Sequence, residues 1–209
     1  MFELIRKGGP VMWPLLLTSV VSLAVVMERV FFIIREKTRR QPAVVEKVLE
    51  EVEQGRIEEA IETGKSSNDF VVKTLVYALE NKEKSFSNAL LRAANHELKR
   101  FNQGLAALDT IITLAPLLGL FGTVTGMIHA FGLLGGAELD APTAITGGIA
   151  EALIATAFGL VIAIVALIPY NYLNTRLEEA RHDIEDASSH LEILLVKPTG
   201  EYENSVTQR

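Results

Sequence analysis

Residues 149–160 read Ile-Ala-Glu-Ala-Leu-Ile-Ala-Thr-Ala-Phe-Gly-Leu, which sets one carboxylate, Glu151, and one hydroxyl, Thr156, inside an otherwise apolar run. A second run, 115–130, carries Thr123 and Thr125 in the same kind of setting. An ionised carboxylate at membrane depth is costly and normally faces a protein interior or water. Glu151 therefore has two readings: it faces a polar seam or subunit contact as part of an ion path, or it sits near the outer headgroups and marks a helix start. Each threonine alone can satisfy its hydroxyl on its own helix backbone. Taken as a set, the hydroxyls could supply donors and acceptors to a moving proton or to a buried acid. Other chemistry finds little support. The four histidines (His96, His129, His182, His190) have no ligand spacing on a common face beyond His182 and His190, eight apart, and cysteine is absent. Thiolate metal sites and disulfides are excluded, no metal or cofactor is expected, and no catalytic grouping marks an enzyme.

These polar groups lie on helices that must be positioned by something other than bulk hydrophobicity. Ala115, Gly119, Gly122, Gly126 and Ala130 recur at spacings of three and four, and so do Gly148, Ala152, Thr156, Gly159, Ala163 and Ala166. Small residues at that spacing let helix backbones approach closely within lipid. The two stripes are expected to pack against other helices.

The chain of 209 residues is 49% hydrophobic and 22% charged, with its charges segregated. Three nearly charge-free stretches, about 11–34, 106–134 and 144–172, each meet the roughly 20 apolar residues that a spanning helix needs. Nothing alternates as barrel strands would. The first stretch is longer than an ordinary signal core and is followed by Glu28-Arg29 rather than a small-residue cleavage site, so an uncleaved span is expected. The fold class predicted is an all-α membrane protein with three transmembrane helices and long cytoplasmic helical extensions. Arg29, Arg35, Lys37, Arg39 and Arg40 follow the first span, Lys99 and Arg100 precede the second, and Arg176 and Arg181 follow the third, while residues 135–142 hold no Lys or Arg. The positive-inside rule then puts the N-terminus outside and the C-terminus inside. The net charge of −6 argues against a nucleic-acid partner.

The predicted organisation is a lead-in and first span (1–34), a cytoplasmic helical region (35–105), a second span (106–134), a periplasmic loop (135–143), a third span (144–172) and a cytoplasmic helix and tail (173–209). Within 35–105, Pro42 suits a first helical turn, and Val44, Val45, Val48, Leu49 and Val52 keep helical spacing up to Gly55. A short helix is expected over 57–63, ended by Gly64. Ser66-Ser67-Asn68 is expected to cap a third carrying Val71, Val72, Leu75, Val76 and Leu79. One unbroken helix is expected from about Ser85 to about Leu134. The third span is expected to continue through Leu195 and stop before Pro198, leaving a polar, disordered tail over 199–209.

The two polar-bearing runs together resemble the signature helices of the MotA/TolQ/ExbB proton-channel family: 115–128, Ala-Pro-Leu-Leu-Gly-Leu-Phe-Gly-Thr-Val-Thr-Gly-Met-Ile, and 149–160 as quoted above. The likeness extends over nearly the whole chain, including the three spans, the large inside segment and the charged helical tail. It implies a homo-oligomeric ring, typically a pentamer, around single spanning helices of an ExbD- or TolR-like partner whose membrane aspartate takes up and releases protons. By motif position Thr123 and Thr156 match the lumen threonines and Glu151 the third-span glutamate; Gly119, Gly122, Gly126, Gly148, Ala152, Gly159 and Ala163 are the helix-packing positions. Three spans and a short N-terminus fit the ExbB and TolQ branches better than the four-span MotA branch. An ExbB-like subunit of the bacterial inner membrane, energising a TonB-type system by the proton motive force, is the first expectation. A TolQ-like role in the Tol-Pal system is the second, and a non-conducting scaffold is the alternative from another class.

Overall fold

A computed structural model describes residues 8–132 and 141–196. The expected loop up to Asp140, the first residues of the lead-in and the polar tail lie outside the described residues. Every regular element among the described residues is a helix: α1 (Met12–Arg39), α2 (Pro42–Glu53), α3 (Ile57–Lys65), α4 (Phe70–Glu80), α5 (Lys82–Asn102), α6 (Leu105–Gly132) and α7 (Ala141–Val196). Three helices are long and apolar enough to cross a membrane, which makes this a multi-pass membrane protein by length and composition.

The chain divides into two compact units. One comprises Met1–Phe31 with Gly104–Asn174, the other Phe32–Gln103 with Thr175–Arg209. In the first, the opening turns of α1 bury Val11, Met12 and Leu15 against Ile111 and Ala115 of α6 and Ala155, Ile162 and Ala166 of α7. The opposite sides of these helices are uncovered: Leu17, Phe31 and Ile168 are each about two-thirds exposed or more. Such apolar area needs lipid or other helices over it.

The second unit is held by a core of Val48, Val72, Leu75 and Leu79 and by edge-on contacts of Phe101 with Phe32 (5.3 Å) and Phe70 (5.0 Å). Arg40 joins three helices. Its Nη1 donates to both oxygens of Asp69 at 2.8 Å, its Nη2 donates to Asp183 at 2.8 Å, and its guanidinium lies 4.9 Å from the Phe70 ring centre. Arg100 likewise donates to the buried Glu36 at 2.9 Å. A buried charge needs such pairing to be tolerated.

Three local expectations are corrected. The helix expected from Ser85 to Leu134 is broken after Asn102: Gln103 leaves the helix with ψ 137°, and Gly104 follows with a φ of +78° that suits glycine. An alanine there would also have its Cβ 3.1 Å from the Arg29 and Val25 side chains. Gly64 does not stop α3, which runs on to Lys65. Gly64 is buried, with Val76 Cγ2 only 2.3 Å from where a Cβ would stand, so it is a contact glycine. The cap of α4 is Asp69, which accepts from Val71 N at 2.9 Å. Ser67 instead donates to Gln41 Oε1 at 2.7 Å and accepts from Asp69 N at 3.1 Å.

Candidate functional site

The site is built on the α6–α7 hairpin. Along α6 the buried positions Ala115, Gly119, Gly122, Gly126 and Ala130 form one stripe. Gly148, Ala152, Ala155, Gly159 and Ala163 are buried on α7. The stripes face each other antiparallel. A Cβ added to Gly159 would stand 2.4 Å from the Ala115 carbonyl oxygen, one on Gly119 would stand 2.9 Å from Thr156 Cα, and one on Gly148 would stand 2.7 Å from Ala130 Cβ. Gly122 and Gly126 meet Ala155 and Ala152 at virtual distances of 2.6 and 3.0 Å. This close approach occupies the small-residue face inside one chain.

The close approach places the hydroxyls. With Gly119 lacking a side chain, Thr156 Oγ1 reaches across and donates to the Gly119 carbonyl at 2.9 Å. An interhelical hydrogen bond of this sort in lipid is worth about 0.6 kcal/mol on average. Thr123 lies one turn further along α6 and donates to Leu120 O at 2.7 Å. Thr125 donates to Phe121 O at 3.0 Å. Thr123 and Thr156 thus sit at neighbouring levels of the hairpin, both half-buried. Thr123 borders an open hollow with Val124, Met127, Ile128 and Phe131.

Glu151 is brought together with neither threonine. It is half-buried, and its carboxylate presses on the turn that precedes α1: Oε1 lies 1.7 Å from where a Cβ on Gly9 would stand. Gly9 has φ +72°, so both its conformation and its missing side chain are used there. Its carbonyl accepts from Met12 N at 3.1 Å, which puts the carboxylate beside the amino end of α1, where a negative charge is favoured. Among the described residues no cluster of three or more potential metal ligands occurs.

Gly9 was outside the reach of sequence reasoning. The Gly8-Gly9-Pro10 run belongs to the lead-in, and nothing in it names a carboxylate more than a hundred residues away. Gly9→Ala is expected to displace the Glu151 side chain and lower stability by about 1–3 kcal/mol through strain and overpacking. Thermal unfolding of the full chain in detergent reads this. Gly147→Ala, with nothing within 4 Å of its Cβ, serves as control, and equal midpoints for the two variants would count against the contact.

Comparison with known proteins adds the family. The model for the MotA/TolQ/ExbB proton channel family matches residues 36–186, which include Thr123, Thr125, Glu151 and Thr156. The chain is similar to a putative biopolymer transport protein, ExbB-like 1, of Synechocystis sp., at 35% identity over 195 residues, 90% of this chain and 76% of that one. It is similar to a putative biopolymer transport protein ExbB homolog of Methanothermobacter thermautotrophicus, at 31% over 187 residues, 88% of this chain and 66% of the relative. Similarity to the Tol-Pal system protein TolQ of Haemophilus influenzae is 41% over 100 residues, 48% of this chain and 44% of that one. With the match covering most of the chain and the hairpin carrying its hydroxyls at adjacent levels, the chain belongs to the MotA/TolQ/ExbB proton channel family.

Proposed function

We propose that this chain is the ring-forming subunit of a proton-driven motor in the bacterial inner membrane, with its N-terminus on the outer side and five copies in the ring. The partner is a single-span protein like ExbD or TolR, bearing a membrane aspartate, and the output is energising of a TonB-type outer-membrane transport system. Thr123 and Thr156 line the path, and Glu151 steadies its outer end. The observation that carries this reading is the pairing of Thr156 with Gly119 O, one turn from Thr123, in helices without another acid between Asp109 and Glu138 or between Glu151 and Glu178. The chain offers polar lining but no central titrating group, so the acid must come from elsewhere. The membrane field supplies about 2.3 kcal/mol per charge per 100 mV, several times thermal energy.

The test is proton flux in liposomes containing the chain with and without an ExbD-like partner. Flux is expected only with the partner. Thr156→Val with Thr123→Val should lower it about tenfold, since the polar lining is lost, while the purified complex keeps its mass. Flux unchanged in the double variant would mean that the path does not run along these threonines, and no flux even with the partner would leave the scaffold reading. Robust flux without the partner would refute the shared path.

A TolQ-like role in the Tol-Pal system stands second, favoured by the 41% identity to TolQ over the matched 100 residues. Capture of the single-span partner and identification of its periplasmic ligand, TonB-like or Pal-like, chooses between the two.

A further inference from the structure

A subunit that closes into a ring by rotation must carry two different surfaces that fit one another, one for each neighbour. The small-residue stripes of α6 and α7 are occupied within the chain, so they do not provide that pair. The unit that contains α2 to α5 and the tail of α7 carries two concave surfaces of opposite charge.

The first is a groove of about 450 Å³ between α2 and the α7 tail. Its floor includes Val45, Leu49 and Leu194, and its rim bears Glu46, Glu50, Glu53 and Asp186, all four exposed. Among the described residues none of these four carboxylates is in an ion pair. The lining's Arg40 is committed to Asp69 and Asp183.

The second is a cavity of about 350 Å³ between α4 and α5, lined by Lys73, Tyr77, Arg92 and His96. Its one carboxylate, Glu97, is paired with Arg100 and lies 3.4 Å from His96 Nδ1. Lys73 and Arg92 have no ion pair among the described residues. A cationic hollow of this kind stands out in a chain of net charge −6.

Both surfaces share α4, on different sides of it. Val71 lines the groove and Tyr77 the cavity; six residues at about 100° each turn the helix to a face about 120° away. A bound phosphate would account for the cavity and leave the apolar-floored groove uncovered. A second copy of the chain accounts for both at once.

We propose that the Lys73–Arg92 cavity of one subunit receives the Glu46, Glu50 and Asp186 rim of the next copy, forming a charged seam that repeats around the ring. This rests on the ring-forming reading above.

The absence of cysteine permits a direct test on the full chain with its partner in nanodiscs. Tyr77→Cys with Glu53→Cys places one thiol on each surface at the cost of one rim carboxylate and leaves Lys73, Arg92, Glu46, Glu50 and Asp186, the charges under test, in place. A short bis-maleimide should then give a covalent ladder between subunits. Adding Lys73→Glu with Arg92→Glu, or Glu46→Lys with Glu50→Lys, should lower the yield about tenfold by setting like charges opposite one another. Adding all four should restore it, which a merely misfolded chain could not do. Yields indifferent to the single-face reversals, or no recovery in the fourfold variant, would overturn the seam. So would inorganic phosphate bound in the cavity of the intact assembly. Native mass spectrometry separates the two levels of failure: a ring of normal mass without cross-links sinks the seam alone, and a wild-type monomer sinks the ring as well.

Discussion

Gly159→Ala is expected to force the α6–α7 hairpin apart. The added methyl would stand 2.4 Å from the Ala115 carbonyl oxygen and 3.2 Å from Gly119 Cα. Both obstacles are backbone, so no flexible side chain can swing away, and Gly119 O would be drawn off the Thr156 hydroxyl that it serves. Overpacking in a tight core costs about 1–3 kcal/mol and more when the main chain must move. About 3 kcal/mol is expected here, seen as a midpoint roughly 10 °C lower in detergent. Gly147→Ala, with open space around its Cβ, should be neutral or slightly stabilising, because alanine favours a helix over glycine. If the two variants melt together, the hairpin is not packed on its glycines.

Asp69→Ala should produce the largest loss in the other unit. The carboxylate is fully buried and accepts from Arg40 Nη1 at 2.8 Å, Gln41 N at 2.6 Å and Val71 N at 2.9 Å. Its removal leaves Arg40 with Asp183 as its one remaining carboxylate, deprives two amides of their acceptor and takes the cap off α4. Breaking a buried pair in this way costs about 3–5 kcal/mol. Chemical denaturation of the full chain measures it, and Arg40→Ala in the same background should add far less than it does alone. Additive losses would mean that Asp69 and Arg40 do not act as one unit.

The contrast between these two sites shows what was legible in the residues alone. The α6 stripe from Ala115 to Ala130 could be read because small residues at helical spacing in an apolar run have few other uses. The surface against which it packs could not, because spacing says which face is sticky and nothing about whose face covers it. The core positions of α2 and α4 followed from period. Asp69 did not, since Ser66, Ser67 and Asn68 offered equally good caps in sequence, and only the arrival of Arg40 and Gln41 from the end of α1 decides among them. Gly104 lay inside an apolar period long enough to hide a break. Glu151 was recognised as unusual for its depth, yet the glycine that seats it lies at the far end of the chain.

The hydrogen bonds of the hairpin threonines carry one more implication. Each of Thr123, Thr125 and Thr156 already directs its hydroxyl proton at a backbone carbonyl. What these oxygens can still present to a visitor is lone pairs. A protonated carboxyl, a water or a cation meets an acceptor there at once; a bare carboxylate must first draw a hydroxyl off its carbonyl. Hydroxyls arranged in this way favour the neutral form of an acid drawn alongside them over its anion.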